Sequence, residues 1–405
     1  MIMTTTRSPA ETVTVTARTP HPLRALVSRP DGIDDARHVV QAWVASRGFM
    51  LLIAALYALT QGRSMWDMVN NWDAALYREL AYNGYFSDPR GTLMAFFPAF
   101  SSLLRLGVDV GVPTQVTGMV ISAIGSALAA AALYRMGGRW AAIAWLFAPT
   151  AVFTLVPYTE SIFCAVAFWA WERARVDKWM AASVLACITC TVRVSGVFLL
   201  GALAVSIITS WAEPGAERRD WRIEVRIRAP RLLWLLPGIA AIFAYSYFLY
   251  RLTGSWTAWY DAQATGWVRG FTWPWESAMN TWQVVKPGAY PDHPEWAPVF
   301  RLEVISMAMG LLATGWCLGR RKWAEASWVG VQVLAFSLSY WFFSVNRAVL
   351  LWFPLWLMLA ELGQYAPKSI TRRSLWQGLV VLVCAAAVLA MVWWCTLFYT
   401  GRWSS

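Results

Sequence analysis

Five ionisable residues stand where the chain is otherwise apolar: Asp73, Glu79, Glu160, Arg193 and Arg347. An ionisable group at membrane depth is costly enough to count as a functional candidate by default. Carboxylates and guanidiniums together could take a proton from a hydroxyl while holding a phosphate. Asp73 follows Trp72 and opens the helical pattern Ala74 to Tyr82, so it can cap that helix or act as a general base. A carboxylate fixed at a short helix's start, beneath aromatic residues and with little water, suits base catalysis worth roughly 10²–10⁴-fold in rate. Arg193, in TCTVRVSG, can snorkel to an interface or bind phosphate. Arg347, in SVNRAVLLWFP, has the same chemistry, and Glu160 in PYTES can cap a span, orient an arginine or contact substrate.

The elements that position these residues follow from composition. Of 405 residues, 58% are hydrophobic and 14% charged, which places the chain in a bilayer. Its net charge of +11 is spread over short turns between apolar runs, as cytoplasmic anchoring charges are, so no nucleic-acid partner is expected. Arg18, Arg24, Arg29, Arg37 and Arg47 precede the first apolar run without a short hydrophobic core of the signal-peptide kind. Residues 1–47, rich in Thr and Pro at their start, are expected to form a disordered cytoplasmic tail, and residues 48–405 one transmembrane domain. The six cysteines lie in or beside apolar runs and read as packing residues, Cys187 and Cys190 included. His21, His38 and His293 lack metal-ligand spacing, so no zinc site is expected.

About eleven spans are expected, from Phe49–Met65 to Leu375–Tyr399, several of them short. The turns around Arg135–Arg139, Arg173–Lys178, Glu213–Arg231, Arg320–Lys322 and Lys368–Arg373 carry the basic charge and belong inside. Loops 66–114 and 253–300, with Pro157–Glu160, Arg193–Ser195 and Ser344–Arg347, fall outside and bring the five candidates to one face. Thr92–Leu106, short and carrying Pro98, reads as an interfacial or re-entrant helix. The tryptophans between Trp256 and Trp296 can form an aromatic belt or offer flat faces to sugar rings or a lipid chain. No inverted repeat is visible, which lowers a transporter reading.

Trp72-Asp73, Tyr77, Ala81, Gly84-Tyr85 and Ala95-Phe96-Phe97-Pro98 resemble the signature of the glycosylphosphatidylinositol mannosyltransferase II family and its actinobacterial relatives, within the GT-C superfamily of membrane glycosyltransferases. The resemblance continues, in order, through Ala148-Pro149, Phe153, Tyr158 to Phe163, Arg193 with Gly196, and Arg347 to Phe353-Pro354. Ala99 departs from it, standing where a larger residue is usual, and the tail lies outside the pattern. The resemblance implies an all-α, GT-C-like polytopic enzyme of the plasma membrane with an extracytoplasmic site. It implies transfer of mannose from a polyprenyl-phosphate-mannose donor to a hydroxyl of a lipid-anchored glycan, of the phosphatidylinositol mannoside or lipoglycan type, with inversion and no cofactor. Asp73 maps onto the base, Arg347 and Arg193 are expected at the donor phosphate, and Trp72, Tyr77, Tyr158 and Glu160 at substrate. A transporter or flippase of a lipid-linked glycan is the alternative, and a non-catalytic scaffold a third reading.

Overall fold

The computed structural model describes residues 32–209 and 221–404. Among these the chain is helical, with a single isolated antiparallel bridge between Phe271 and Ser339 and no strand. It is an all-α, multi-pass membrane protein. By length and composition, helices Asp34–Gln61, Thr114–Gly137, Arg226–Thr253, Trp296–Gly319 and Ile370–Tyr399 can each cross a bilayer. A sixth candidate is the bent pair Val345–Leu351 and Phe353–Gly363, kinked by 76°. Trp179–Val192 and Gly196–Thr209 are shorter apolar helices. The expected number of about eleven is not reached on these criteria, because several apolar runs make short or broken helices. Trp140–Val156, for instance, divides into a helix at Arg139–Leu146 and a 3₁₀ turn at Ala151–Thr154, with Pro149 between them.

The start of the chain also differs from expectation. The first helix begins at Gly32, so residues 32–47 of the expected tail are helical, while residues 1–31 lie outside the described residues. Arg47 is buried in that helix and donates from Nη1 to the Thr154 hydroxyl at 2.9 Å and carbonyl at 3.2 Å.

The helices run between two chemically distinct ends. At one end the basic turns meet each other's acids: Arg139 with Asp35 at 2.8 Å, Arg135 with Glu172 at 2.7 Å, Arg175 with Glu325 at 3.6 Å and Arg231 with Asp177 at 2.9 Å. Arg173 with Glu172 and Arg320 with Glu361 complete this set. At the other end lie Asp73, Glu160, Arg193 and Arg347. Glu160 and Glu172 occupy opposite ends of the single helix Glu160–Arg175, which fixes the separation of the two sets.

Small residues let that helix approach closely. Gly118, Ser122, Gly125, Ser126 and Ala129 are buried along Thr114–Gly137 at helical spacing. A Cβ on Gly125 would come 2.8 Å from the Ser161 carbonyl carbon, and one on Gly118 would come 2.5 Å from Pro157 Cβ. The Ser122 hydroxyl donates to the Val156 carbonyl at 2.7 Å. The turn carrying Pro157 to Glu160 is thereby held against the helix that faces it.

Candidate functional site

Asp73 is the first residue of helix Asp73–Asn83, but its side chain does not cap that helix. The carboxylate instead reaches Arg347, whose Nη1 donates to Oδ2 at 2.6 Å. Arg347 Nε also lies 3.5 Å from Glu160 Oε1, and that same oxygen accepts from Arg193 Nη1 at 2.5 Å. The result is a continuous chain, Asp73, Arg347, Glu160, Arg193, drawn from four separated segments. Glu160 is almost fully enclosed, whereas the Asp73 side chain retains 16% exposure. Asp73 Oδ1 has no hydrogen bond to any of the described residues, so the carboxylate is clamped by one oxygen and open at the other.

Aromatic residues fix this chain in place. The Asp73 amide donates to the Tyr158 hydroxyl at 3.1 Å, and that hydroxyl donates to the Asn71 carbonyl at 3.4 Å. The Arg347 guanidinium stands 5.3 Å from the Tyr158 ring centroid and 5.4 Å from that of Phe153. Tyr77 meets Phe96 and Phe100 edge-on at 4.7 and 4.9 Å, and its hydroxyl lies 3.4 Å from Thr159 Oγ1. The Phe96-Phe97-Pro98 segment therefore packs under the Asp73 helix. Pro98 occupies the first turn of helix Pro98–Asp109, whose buried face is Phe100, Ser101, Leu104 and Gly107.

The Arg347 turn is equally well determined. Glu303 accepts from the Ser344 and Asn346 amides at 3.1 and 2.9 Å, satisfying the start of the short helix Val345–Ala348. Ser306 Oγ lies 2.8 Å from Asn346 Oδ1, Thr150 donates to the Asn346 carbonyl at 3.0 Å, and Trp145 and Trp328 donate to the Leu350 and Leu351 carbonyls. Strain gathers here as well. Trp72, with φ of 56°, precedes Asp73; Ser344, with φ of 63°, opens the Arg347 helix; Val268, with φ of 53°, precedes Arg269. Each such non-glycine residue costs of order 1–3 kcal/mol, which the surrounding packing must offset.

Solved structures similar to the chain include the following two. One is ArnT from Cupriavidus metallidurans bound to undecaprenyl phosphate, with 15% identity, a TM-score of 0.45, and cover of 88% of this chain and 76% of that one. The other is the Archaeoglobus fulgidus oligosaccharyltransferase in its apo form, with 13% identity, a TM-score of 0.44 and cover of 90% of this chain. The chain spans 56% of that second protein's length. No protein-family model matches the chain, and no curated protein matches it.

Of the residues singled out from the sequence, Asp73, Glu160, Arg193, Arg347, Tyr77 and Tyr158 come together here. Trp72 stands at the edge, 44% exposed, with its indole donating to the Arg402 carbonyl at 3.1 Å. Glu79 takes another path and accepts from Asn83 at 2.9 Å. Two charged residues join the site that the sequence reading passed over: Glu303, already described, and Arg269, which lies in the tryptophan-rich connection. That connection is itself structured, holding helices Ala258–Trp267 and Pro274–Val284. Among its tryptophans, Trp259 donates to the Ala95 carbonyl at 3.2 Å, whereas Trp256 and Trp282 are exposed. Among the described residues no group of three or more His, Cys, Asp or Glu is placed to hold a metal ion.

Proposed function

We propose that this chain is a polyprenyl-phosphate-sugar-dependent glycosyltransferase, moving mannose to a hydroxyl of a lipid-linked glycan with inversion. The observation that carries the reading is the Asp73 carboxylate, clamped through Oδ2 by Arg347 at 2.6 Å and open at Oδ1, among buried cations in an otherwise apolar fold.

The chemistry is a single displacement. The acceptor hydroxyl loses its proton to Asp73 Oδ1 while its oxygen bonds to the anomeric carbon of the donor sugar. The bond from that carbon to the donor's phosphate oxygen breaks on the opposite face, and its electron pair stays on the polyprenyl phosphate. One displacement inverts the carbon. Arg347 orients the base, and Arg347 with Arg193 supplies positive charge toward the leaving phosphate, so the reaction needs no metal or other cofactor. Tyr158 and Tyr77 hold the base helix, Glu160 sets the two arginines, and Trp72 borders the opening. The clustering of basic turns at the opposite end of the helices supports a site on the extracytoplasmic face, in the plasma membrane. The acceptor belongs to the phosphatidylinositol mannoside or lipoglycan class.

Purified protein incubated with labelled polyprenyl-phosphate mannose and a panel of phosphatidylinositol mannosides, lipoglycans and peptides tests the reading. Transfer to a glycolipid that disappears in Asp73→Asn is the expected result. Movement of a lipid-linked glycan across liposomes without sugar transfer would replace it with a transporter.

A further inference from the structure

Three guanidiniums face the site, and their charges are not equally engaged. Arg347 and Arg193 each lie within 2.6 Å of a carboxylate oxygen. Arg269 makes no ion pair among the described residues. Its Nη1 donates to Gln263 Oε1 at 3.3 Å and its Nη2 to the Phe343 carbonyl at 3.1 Å, both neutral acceptors. The remaining donors of its fork are free for a ligand. Burial first, then Arg347, opposed by Asp73, pulls its pKa down to about 10, with Arg193 lowering and Glu303 raising it further down the order. The group is therefore charged at neutral pH and within electrostatic reach of Arg347, Asp73 and Arg193.

The backbone delivers Arg269 to this position at a cost. Val268 is β-branched and left-handed, an uncommon conformation for such a residue, and ends helix Ala258–Trp267. On one side the segment is pinned to the first loop by Trp259 donating to the Ala95 carbonyl and by Trp267 against Phe96 at 5.5 Å. On the other side the Thr272 amide donates to the Leu338 carbonyl at 3.1 Å, beside the Phe271 to Ser339 bridge. Arg269 is thus the centre of a strap joining the loop that carries Asp73 to the segment that leads into Arg347. Just beyond it Phe271, Trp273 and Trp275 are more than half exposed, with the two indoles stacked at 5.3 Å. An unspent cation followed by exposed apolar rings fits a phosphate ester that carries a hydrocarbon chain.

We propose that Arg269 is the principal ligand of the phosphate of a polyprenyl-phosphate donor, with the Phe271 to Trp275 rings taking the first part of its chain. This rests on the glycosyltransferase reading. It leaves Arg347 and Arg193 chiefly to the carboxylates, and Arg269 to the leaving group.

Binding of a short-chain polyprenyl monophosphate to purified wild type, Arg269→Gln and Arg269→Lys, with inorganic phosphate as a parallel competitor, tests it. Removing a charge-assisted hydrogen bond should weaken polyprenyl phosphate about 10- to 100-fold in Arg269→Gln and by less in Arg269→Lys. Turnover at saturating donor should fall less than donor KM rises. Equal affinity in wild type and Arg269→Gln, with wild-type transfer intact, would overturn the Arg269 assignment and leave the enzyme reading standing. A wild type that binds no polyprenyl phosphate and transfers no sugar would remove both. Inorganic phosphate competing as well as the prenylated probe would overturn the lipid-chain contact. Should Arg269→Gln fail to stay monodisperse, hydrogen exchange in the wild type decides. Protection of residues 263–273 on adding polyprenyl phosphate supports the assignment, and unchanged exchange refutes it.

Discussion

Replacing Asp73 and Glu160 by their amides should separate chemistry from stability, because the two carboxylates hold unequal shares of the same arginines. Glu160 is buried and takes Arg193 at 2.5 Å and Arg347 at 3.5 Å through one oxygen. In Glu160→Gln the Arg193 guanidinium keeps a neutral amide oxygen and Thr159 Oγ1, at 3.3 Å, as acceptors but loses the one carboxylate it is paired with among the described residues. An uncompensated buried charge of this kind costs about 3–5 kcal/mol, more than a typical single substitution. Asp73→Asn differs in kind, since Arg347 still faces Glu160 and the amide oxygen can still accept from it; the expected loss is about 1 kcal/mol. Activity should follow the reverse order: Asp73→Asn removes the base and should lower turnover by roughly 10²–10⁴-fold. Thermal unfolding of detergent-purified variants, with initial rates on labelled donor, gives both quantities from one preparation. Asp73→Asn turning over within a few-fold of wild type, or Glu160→Gln unfolding at the wild-type temperature, would refute the division of roles.

Other consequences are equally direct. Tyr158→Phe deprives the Asp73 amide of its 3.1 Å acceptor, so turnover should drop by about tenfold with a stability loss of about 1–3 kcal/mol; an unchanged rate would show that Tyr158 does not position the base. Gly125→Ala drives a methyl into Ser161 backbone at 2.8 Å and should destabilise by about 1–3 kcal/mol, read as a lower unfolding temperature, whereas Gly201→Ala, with nothing within 4 Å of the added methyl, should not. In the first loop, burial acts to raise the Asp88 pKa, yet the Thr92 hydroxyl, the Arg90 and Thr92 amides and the Arg90 charge together hold it below the usual carboxylate range. A depressed folded pKa gives stability that is present above the unfolded value of about 4 and lost as pH falls through the folded one. Proteolysis of residues 84–92 should therefore be constant from pH 5 to 8 and rise only in stronger acid, and Asp88→Ala should abolish that acid-linked change.

How much of this site could be read from the sequence depends on what each residue contacts. Asp73, Glu160, Arg193 and Arg347 were legible because a charge inside an apolar run has few explanations, and the alternation of basic turns then assigned all four to one end of the helices. Their pairing was not legible, since nothing local indicates that Arg347 reaches back to Asp73 rather than outward. Span count was less legible than helix position: Pro149 breaks one apolar run, and the kink between Leu351 and Phe353 bends another, without changing the hydropathy of either. Glu303 was hidden at the start of a long apolar helix, where a carboxylate serving the amides of a distant turn looks like any interfacial acid. Arg269 was hidden by its neighbours. An arginine among tryptophans has the composition of a headgroup-level anchor, and only the left-handed Val268, together with partners that are all neutral, distinguishes it from one. An anchor would lose little when its charge is removed, whereas a phosphate ligand would lose binding to one class of molecule, so the measurement on Arg269→Gln addresses what composition alone could not separate.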